Sequence, residues 1–278
     1  MISYFKMVLL LLVFCSFGFT TNVQDTCTVR NKAFKADEEV KMKVFYSTLG
    51  VYVGAGEAVF SSSLERFNGK PVYHFVGVGS TYSFFDNFFK VRDKYESYVD
   101  TTSLLPYKFV RNVDEGGYKK YDNVTFNHSS KTAVSTNGVY PVSNCIQDVV
   151  SMIYYARNID FSKYKLNDKI PFDMFLDDEI FHMYIRYMGK EVIKTRFGKF
   201  NAIKIKPLLL KGTIFEGGEK MTAWLSDDPN HVLLRAESPI AVGSIKVDMN
   251  MAKNGMRALC CKTSKTVLMI LLLQPNGP

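Results

Sequence analysis

The feature that most narrows the fold is a period of two, repeated along most of the chain. Apolar and polar side chains alternate at 39–46, 51–60, 71–79, 91–99, 107–113, 118–126, 131–136, 169–175, 181–187, 191–196, 200–207, 220–225, 232–237 and 242–247. Turn residues separate these stretches roughly every 8–12 residues, the spacing of an antiparallel sandwich or barrel. Successive strand side chains point to opposite faces, so each stretch buries one face only. Val40, Met42, Val44 and Tyr46 point one way; Lys41 and Lys43 point the other. Glu115-Gly116-Gly117 is a hairpin signal between two such stretches, and Met188-Gly189-Lys190 reads as a turn between two more. Gly54, Gly56 and Ala58 share one strand face, which predicts a bend or a close backbone approach. With 47% hydrophobic residues the chain can fill a core.

One segment departs from the period. Ile146, Val149, Val150, Ile153, Tyr154 and Arg157 recur at helical spacing. Asn144 is the expected N-cap, with Gln147 completing a pair of the capping-box kind. Nearly every face of 146–156 is apolar or aromatic, and such a helix must be covered. The expected fold is therefore mainly β: a curled antiparallel sheet or open barrel wrapped around one buried helix, 146–156. A second short helix is expected over 83–89.

The chain ends read differently. Lys6 precedes an unbroken apolar run from Met7 to Phe14, and Phe17, Gly18 and Phe19 lead into Thr20, Thr21 and Asn22. A basic start, an apolar segment of about 13 residues and a small-residue exit make a secretory signal. The run is short of the roughly 20 apolar residues that span a bilayer. The expected organisation is a signal peptide over 1–21, one β-rich domain over 22–248 and an atypical C-terminal tail over 249–278 that holds the apolar run 267–273. The product is expected to be exported, periplasmic or cell-envelope associated. Lipidation is the less favoured alternative: bulky Phe14 precedes Cys15, and Gln24 and Asp25 stand where apolar or small residues belong before Cys27. No C-x-x-C occurs among the five cysteines, which gives no support to a zinc knuckle or a thioredoxin-type site. In an oxidising compartment Cys27 and Cys145 form a natural structural disulfide, while Cys260 and Cys261 are neighbours in the tail. The net charge of +8 is spread along the chain; it favours anionic surfaces in general, and nucleic acid is not an expected partner.

Several stretches in combination resemble a family of exported bacterial proteins known as domain of unknown function 3108. They are Asn31-Lys32-Ala33-Phe34 with Glu38-Glu39, Ala55-Gly56-Glu57-Ala58, and Phe89-Lys90-Val91-Arg92-Asp93-Lys94-Tyr95-Glu96-Ser97-Tyr98. Leu105-Pro106-Tyr107, Glu115-Gly116-Gly117-Tyr118, Gln147-Asp148-Val149-Val150-Ser151 with Tyr154-Tyr155-Ala156-Arg157, and Val242-Gly243-Ser244-Ile245 complete the set. The resemblance covers about Cys27 to Asp248. It implies curved antiparallel sheets akin to the half-barrels of envelope lipoprotein carriers. It carries no catalytic residue over, and the chain after Met249 departs from the family's usual ending.

Catalytic signatures are weak. His74, His128, His182 and His231 are scattered singly, so no metal site is expected, and no cofactor. Asp177-Asp178-Glu179 reads as a solvated hairpin tip before it reads as a carboxylate site. Ser162-Lys163-Tyr164-Lys165 matches an S-x-x-K spacing without its companion motifs. Two other groups are better leads. Gln147, Asp148, Tyr154 and Arg157 on the helix, with Glu57 on a strand, are candidates for a polar ligand pocket where helix meets sheet. The favoured alternative is a buried ion pair fixing the register, with strand residues such as Arg92, Arg111 or Glu96 as partners. Phe84, Phe85, Phe88 and Phe89 exceed what one helix face buries; they belong either to a Phe-rich core or to an apolar patch facing a ligand or a membrane. The leading functional expectation is an exported envelope protein, more binding protein than enzyme, that holds a lipid or other amphipathic ligand in the concave face of the sheet. The alternatives are a scaffold or assembly factor acting on an envelope protein partner, and an envelope glycan or lipid hydrolase. Peripheral membrane contact is compatible with each.

Overall fold

The computed structural model describes residues 27, 29–48, 51–211, 217–240 and 242–254. The expected signal peptide, Cys15, the neighbouring Cys260 and Cys261 and the apolar run of the tail lie outside the described residues. Fourteen strands follow one another: β1 (Glu39–Thr48), β2 (Val51–Phe67), β3 (Lys70–Thr81), β4 (Arg92–Asp100), β5 (Pro106–Glu115), β6 (Tyr118–Asn127), β7 (Thr132–Val134), β8 (Val139–Pro141), β9 (Lys169–Leu176), β10 (Glu179–Thr195), β11 (Gly198–Pro207), β12 (Thr222–Ser226), β13 (Leu233–Pro239) and β14 (Ser244–Lys253). They form one antiparallel sheet in the order β8-β7-β6-β5-β4-β3-β2-β1-β14-β13-β12-β11-β10-β9. Pairing β1 with β14 joins the first and last strands in the middle of the sheet. The two edges, β8 and β9, are consecutive in the chain, so the sheet is an open barrel whose break lies between them.

The core contacts establish the curl. Val40 of β1 and Ile193 of β10 stand five strands apart in the sheet, yet they share one buried cluster with Trp224 and Met249. Phe126 of β6 and Phe175 of β9 meet across the break with ring centroids 5.9 Å apart. Polar contacts also cross it: Arg111 of β5, paired with Asp122 of neighbouring β6, also binds Asp177 of the β9–β10 turn, and the Asn137 amide donates to Asp178 at 2.7 Å.

The connection over the break carries helix α2 (Val149–Ala156); the short helix α1 (Ser83–Asp86) joins β3 to β4. Helix α2 lies inside the curled sheet as expected, with Val150, Ser151, Tyr154 and Ala156 buried. Its start differs from the expected one. Gln147 is held in strand geometry by a parallel bridge to Met174, donating to Asp173 O and accepting from Phe175 N at 2.9 Å each. A backbone committed to β9 cannot begin a helix, so the cap moves to Asp148. Its carboxylate accepts from the Val150 and Ser151 amides at 2.8 Å, and Ser151 Oγ accepts from the Asp148 amide at 2.8 Å.

Three further expectations are corrected. The turn expected at 188–190 is a bulge inside the 17-residue β10, where Tyr187 pairs with Ile205 and Lys190 with Ile203; Gly189, at φ +86°, takes the left-handed conformation the bulge requires. The helix expected over 83–89 is only the four residues of α1. Strand alternation does not stop at Met249: β14 continues to Lys253 opposite Glu39, and Met249 is buried against Met42. The short strand β8 was not anticipated. The expected bend near Gly54 and Gly56 is present as a register shift between Val44 and Phe45, and a Cβ on Gly56 would lie 2.3 Å from the Ser80 carbonyl; the shift also places Gly54 opposite Phe45 and Gly56 opposite Val44, so the two do not share the expected face. Cys27 and Cys145 form a disulfide across 118 residues of chain, with their Cα atoms 5.2 Å apart.

Candidate functional site: the concave face and its rim

The polar residues of the helix are brought together by the fold, but as a buried fastening. Arg157 forms a two-pronged pair with Glu38, both almost fully buried. It also donates to Ala33 O at 3.2 Å and Asn230 O at 3.0 Å. Asp148, fully buried, accepts a 2.6 Å hydrogen bond from Ser97 Oγ of β4. Burial pushes its carboxyl up to about 6, against the pull of its hydrogen bonds. Tyr154 stacks on Phe75 with centroids 3.7 Å apart, and burial raises its phenol far above the usual range. Gln147 donates to Leu104 O at 3.3 Å. The strand partners expected for this group are occupied elsewhere: Arg92 by Asp86, Arg111 by Asp122 and Asp177, Glu96 by His74 and Lys94. Glu57 is exposed, opposite Lys43 on the outer face.

The remaining candidates have structural surroundings. Asp177 and Asp178 form the β9–β10 turn, both at positive φ. Ser162 Oγ donates to Asp160 at 2.5 Å, and Asp160 caps the short turn 161–163 that holds Ser162, so the S-x-x-K serine is engaged by a cap. His182 is exposed and meets Asp173 at 2.7 Å; His74 sits between Glu65 and Glu96. Among the described residues, no group of three ligand-type side chains could hold a metal, and no helix is long and apolar enough to cross a membrane. A shallow depression of about 370 Å³ lies beside the disulfide, lined by Lys131, Val142, Ser143, Asn144, Cys145 and Asp173.

The more informative geometry is in the part of the concave face that α2 leaves uncovered. The helix covers β3 and β4 where Phe75 pairs with Ser97. Toward the turns at the other end of these strands, the inward positions continue as Gly77 opposite Tyr95 and Gly79 opposite Asp93. On β2 the matching positions are Phe60, Ala58 and Gly56. Paired residues share a face, so a lane of small residues floors this half of the concavity. Val44, Tyr46, Phe60, Tyr95 and Asp93 beside it are only half-buried. A Cβ on Gly79 would have the Asp93 Cβ, at 3.9 Å, as its nearest neighbour, so there is room at Gly79, whereas a Cβ on Gly77 would meet the Phe60 ring at 3.3 Å and one on Gly56 the Ser80 carbonyl.

The loop from Tyr82 to Val91 hangs at the mouth. Phe85 reaches back to Tyr46, with centroids 6.3 Å apart, and Phe89 lies so close over Gly116 that a Cβ there would come within 2.5 Å of its ring. Beneath it, Asp93 is hydrogen-bonded to Glu115; burial and then the Glu115 charge push the Asp93 carboxyl up to about 7. Phe84, Phe85 and Phe88 pack on one another, with ring centroids 5.6, 5.5 and 6.4 Å apart. Phe85 and Phe89 touch the barrel, whereas Phe84 and Phe88 are 65% and 72% exposed. The Phe-rich core is built instead from Phe34, Phe75, Phe109, Phe126 and Phe175. The Gly77 and Gly79 lane went unremarked at sequence level, although it has the same alternate-residue signal as Gly54, Gly56 and Ala58. The Asp93–Glu115 pair has no such signal.

The sequence matches the family model of the protein of unknown function DUF3108 over residues 40–250. The chain belongs to the DUF3108 family. No curated protein matches it. Among solved structures, a beta-barrel-like protein of the DUF1849 family from Brucella abortus covers 80% of this chain and 98% of its own, with a TM-score of 0.52 at 7% identity. A Bacteroides fragilis protein of YmcC-like fold, provisionally described as exported, covers 80% of this chain and 97% of its own, with a TM-score of 0.32 at 10% identity. A Parabacteroides distasonis protein, provisionally described as a lipoprotein, covers 83% and 100%, with a TM-score of 0.35 at 15% identity. The first of these agrees with the open-barrel fold of this DUF3108 member.

Proposed function

We propose that this protein is an exported envelope protein that binds an amphipathic, lipid-like molecule and does no catalysis, its apolar part lying in the half of the concave face that α2 leaves open. The observation that carries this reading is the open stretch at Ala58 and Gly79, with half-buried Val44 and Tyr95 beside it. A strand glycine such as Gly79, which meets no neighbouring backbone and lies under no ring, is not accounted for by close backbone approach. The Cys27–Cys145 bridge and the basic-then-apolar N-terminal sequence support the exported location. The site differs from the one expected on the helix, where Asp148, Tyr154 and Arg157 have partners within the fold and Gln147 leaves its side-chain oxygen buried without one.

Native mass spectrometry of the full chain purified without detergent from its producing cell tests the reading. The expected result is a bound species in the mass range of a lipid. It should be lost in Gly79→Leu, whose Cβ would have only the Asp93 Cβ within 4 Å, while the thermal midpoint stays close to that of the parent. A parent protein that always emerges without a bound molecule would overturn the proposal, as would a Gly79→Leu protein that keeps its ligand.

A further inference from the structure

Exposed apolar side chains gather at one end, while Leu64, Val139, Leu166 and Val192 stand singly elsewhere. Val51, Tyr52, Phe84, Phe88 and Val242, at 61%, 56%, 65%, 72% and 69% exposure, stand at the β1–β2, β3–β4 and β13–β14 connections. These connections neighbour one another because β3, β2, β1, β14 and β13 are successive strands, joined in antiparallel register. The patch sits on separate protruding tips around the mouth of the lane, and such tips can enter a soft medium more readily than they can match a rigid surface.

Its charge narrows the partner. Asp86 is held by Arg92 and Thr81, Asp114 faces Lys119, and Asp93 is hydrogen-bonded to Glu115. The lysines lie among the aromatic side chains. Lys246 sits 5.5 Å from the centre of the Tyr52 ring, Lys43 sits 5.2 Å from that of Phe45, and exposed Lys90 follows Phe88 and Phe89 directly. Protein–protein interfaces are depleted in lysine. Aromatic rings mixed with lysines whose stems lie along apolar surface are the composition of a membrane–water boundary. Glu57 lies opposite Lys43 and Glu237 opposite Lys246, and Lys246 also pairs with Asp248 at 3.2 Å.

We propose that the tips carrying Val51, Tyr52, Phe84, Phe88 and Val242 dock on the surface of an anionic phospholipid bilayer, with Phe84 and Phe88 entering the interface and Lys43 and Lys90 meeting the head groups. This rests on the ligand-holding role proposed above: the docked end is the open end of the lane, so an acyl chain could pass between bilayer and concavity without crossing water.

The test is flotation of the full chain with vesicles of phosphatidylglycerol and phosphatidylethanolamine, against vesicles of phosphatidylcholine alone. The parent should float with the anionic vesicles and less with the neutral ones. Phe84→Ser/Phe88→Ser should lower the bound fraction about tenfold, because two exposed side chains lose their apolar transfer; neither is a core residue, so the melting midpoint should hold. Lys90→Glu should weaken binding at low salt only. Failure of the parent to float, or unchanged flotation of Phe84→Ser/Phe88→Ser, overturns docking at these tips. A parent captured instead by one protein partner, with no affinity for vesicles, also overturns it. Gly79→Leu separates the two proposals: it should float as the parent does while carrying no ligand.

Discussion

Replacing Arg157 tests how the three parts of the molecule are fastened. Arg157 follows α2 directly; its guanidinium reaches Glu38 just before β1, the Ala33 carbonyl in the leading segment and the Asn230 carbonyl in the β12–β13 turn. It also lies 5.6 Å from the ring centres of Phe34 and Tyr154. Glu38 has 1% of its side chain accessible. Arg157→Leu would leave that carboxylate buried without its cation, a defect that costs about 3–5 kcal/mol. For a domain of this size each kcal/mol lowers the midpoint by about 2–4 °C, so a loss of about 6–20 °C is expected in a thermal melt followed by circular dichroism. The double variant Glu38→Leu/Arg157→Leu removes both charges and should recover a large part of the loss, because the penalty comes from an unpaired buried charge. A shift below about 2 °C for Arg157→Leu would refute the reasoning. So would a double variant much less stable than the single one, since it would make packing rather than charge the main contribution.

Three other outcomes follow from the same contacts. Phe75→Ala removes the ring stacked on Tyr154 and should cost about 3–5 kcal/mol in denaturant unfolding, with the β1–β14 pairing retained. Cys145→Ser opens a bridge spanning 118 residues and should lower stability by about 4 kcal/mol under oxidising conditions, with no difference between variant and parent once both are reduced. Asp93 keeps its proton to about pH 7 in the folded protein, whereas an unfolded aspartate loses it near pH 4. The folded state therefore binds more protons through that window, and stability falls as pH rises through it. Asp148 adds a contribution of the same sign up to about pH 6. Melting midpoints between pH 4 and pH 8 should decline less in Asp93→Asn than in the parent; an equal decline would exclude Asp93 as a source.

The sheet was legible because its signal is local. Alternation such as Val40, Met42 and Val44 against Lys41 and Lys43 needs only a buried face and a turn, and both are written in neighbouring residues. Helix α2 was legible for the same reason, but its first turn was not. Whether residue 147 begins a helix or adds to β9 depends on Met174, 27 residues away in the chain. The Met188-Gly189-Lys190 reading failed for a related cause: a left-handed glycine serves a turn and a bulge equally well, and only the partner strand β11 decides between them. Asp148, Tyr154 and Arg157 of the candidate set lie buried around the helix while Glu57 is on the outer face, and Glu38, 119 residues before Arg157, has no local signal that marks it as the partner. The open lane is a property of register. Gly77 and Gly79 matter because β2 and β4 bring Ala58, Tyr95 and Asp93 beside them.

The most direct measurement is a crystal structure of the protein taken from its producing cell without delipidation. Elongated electron density along Gly77, Gly79 and Tyr95, open toward Phe85 and Phe89, is the predicted result. A concave face closed over by the protein's own side chains, with no density beyond water, would contradict the account.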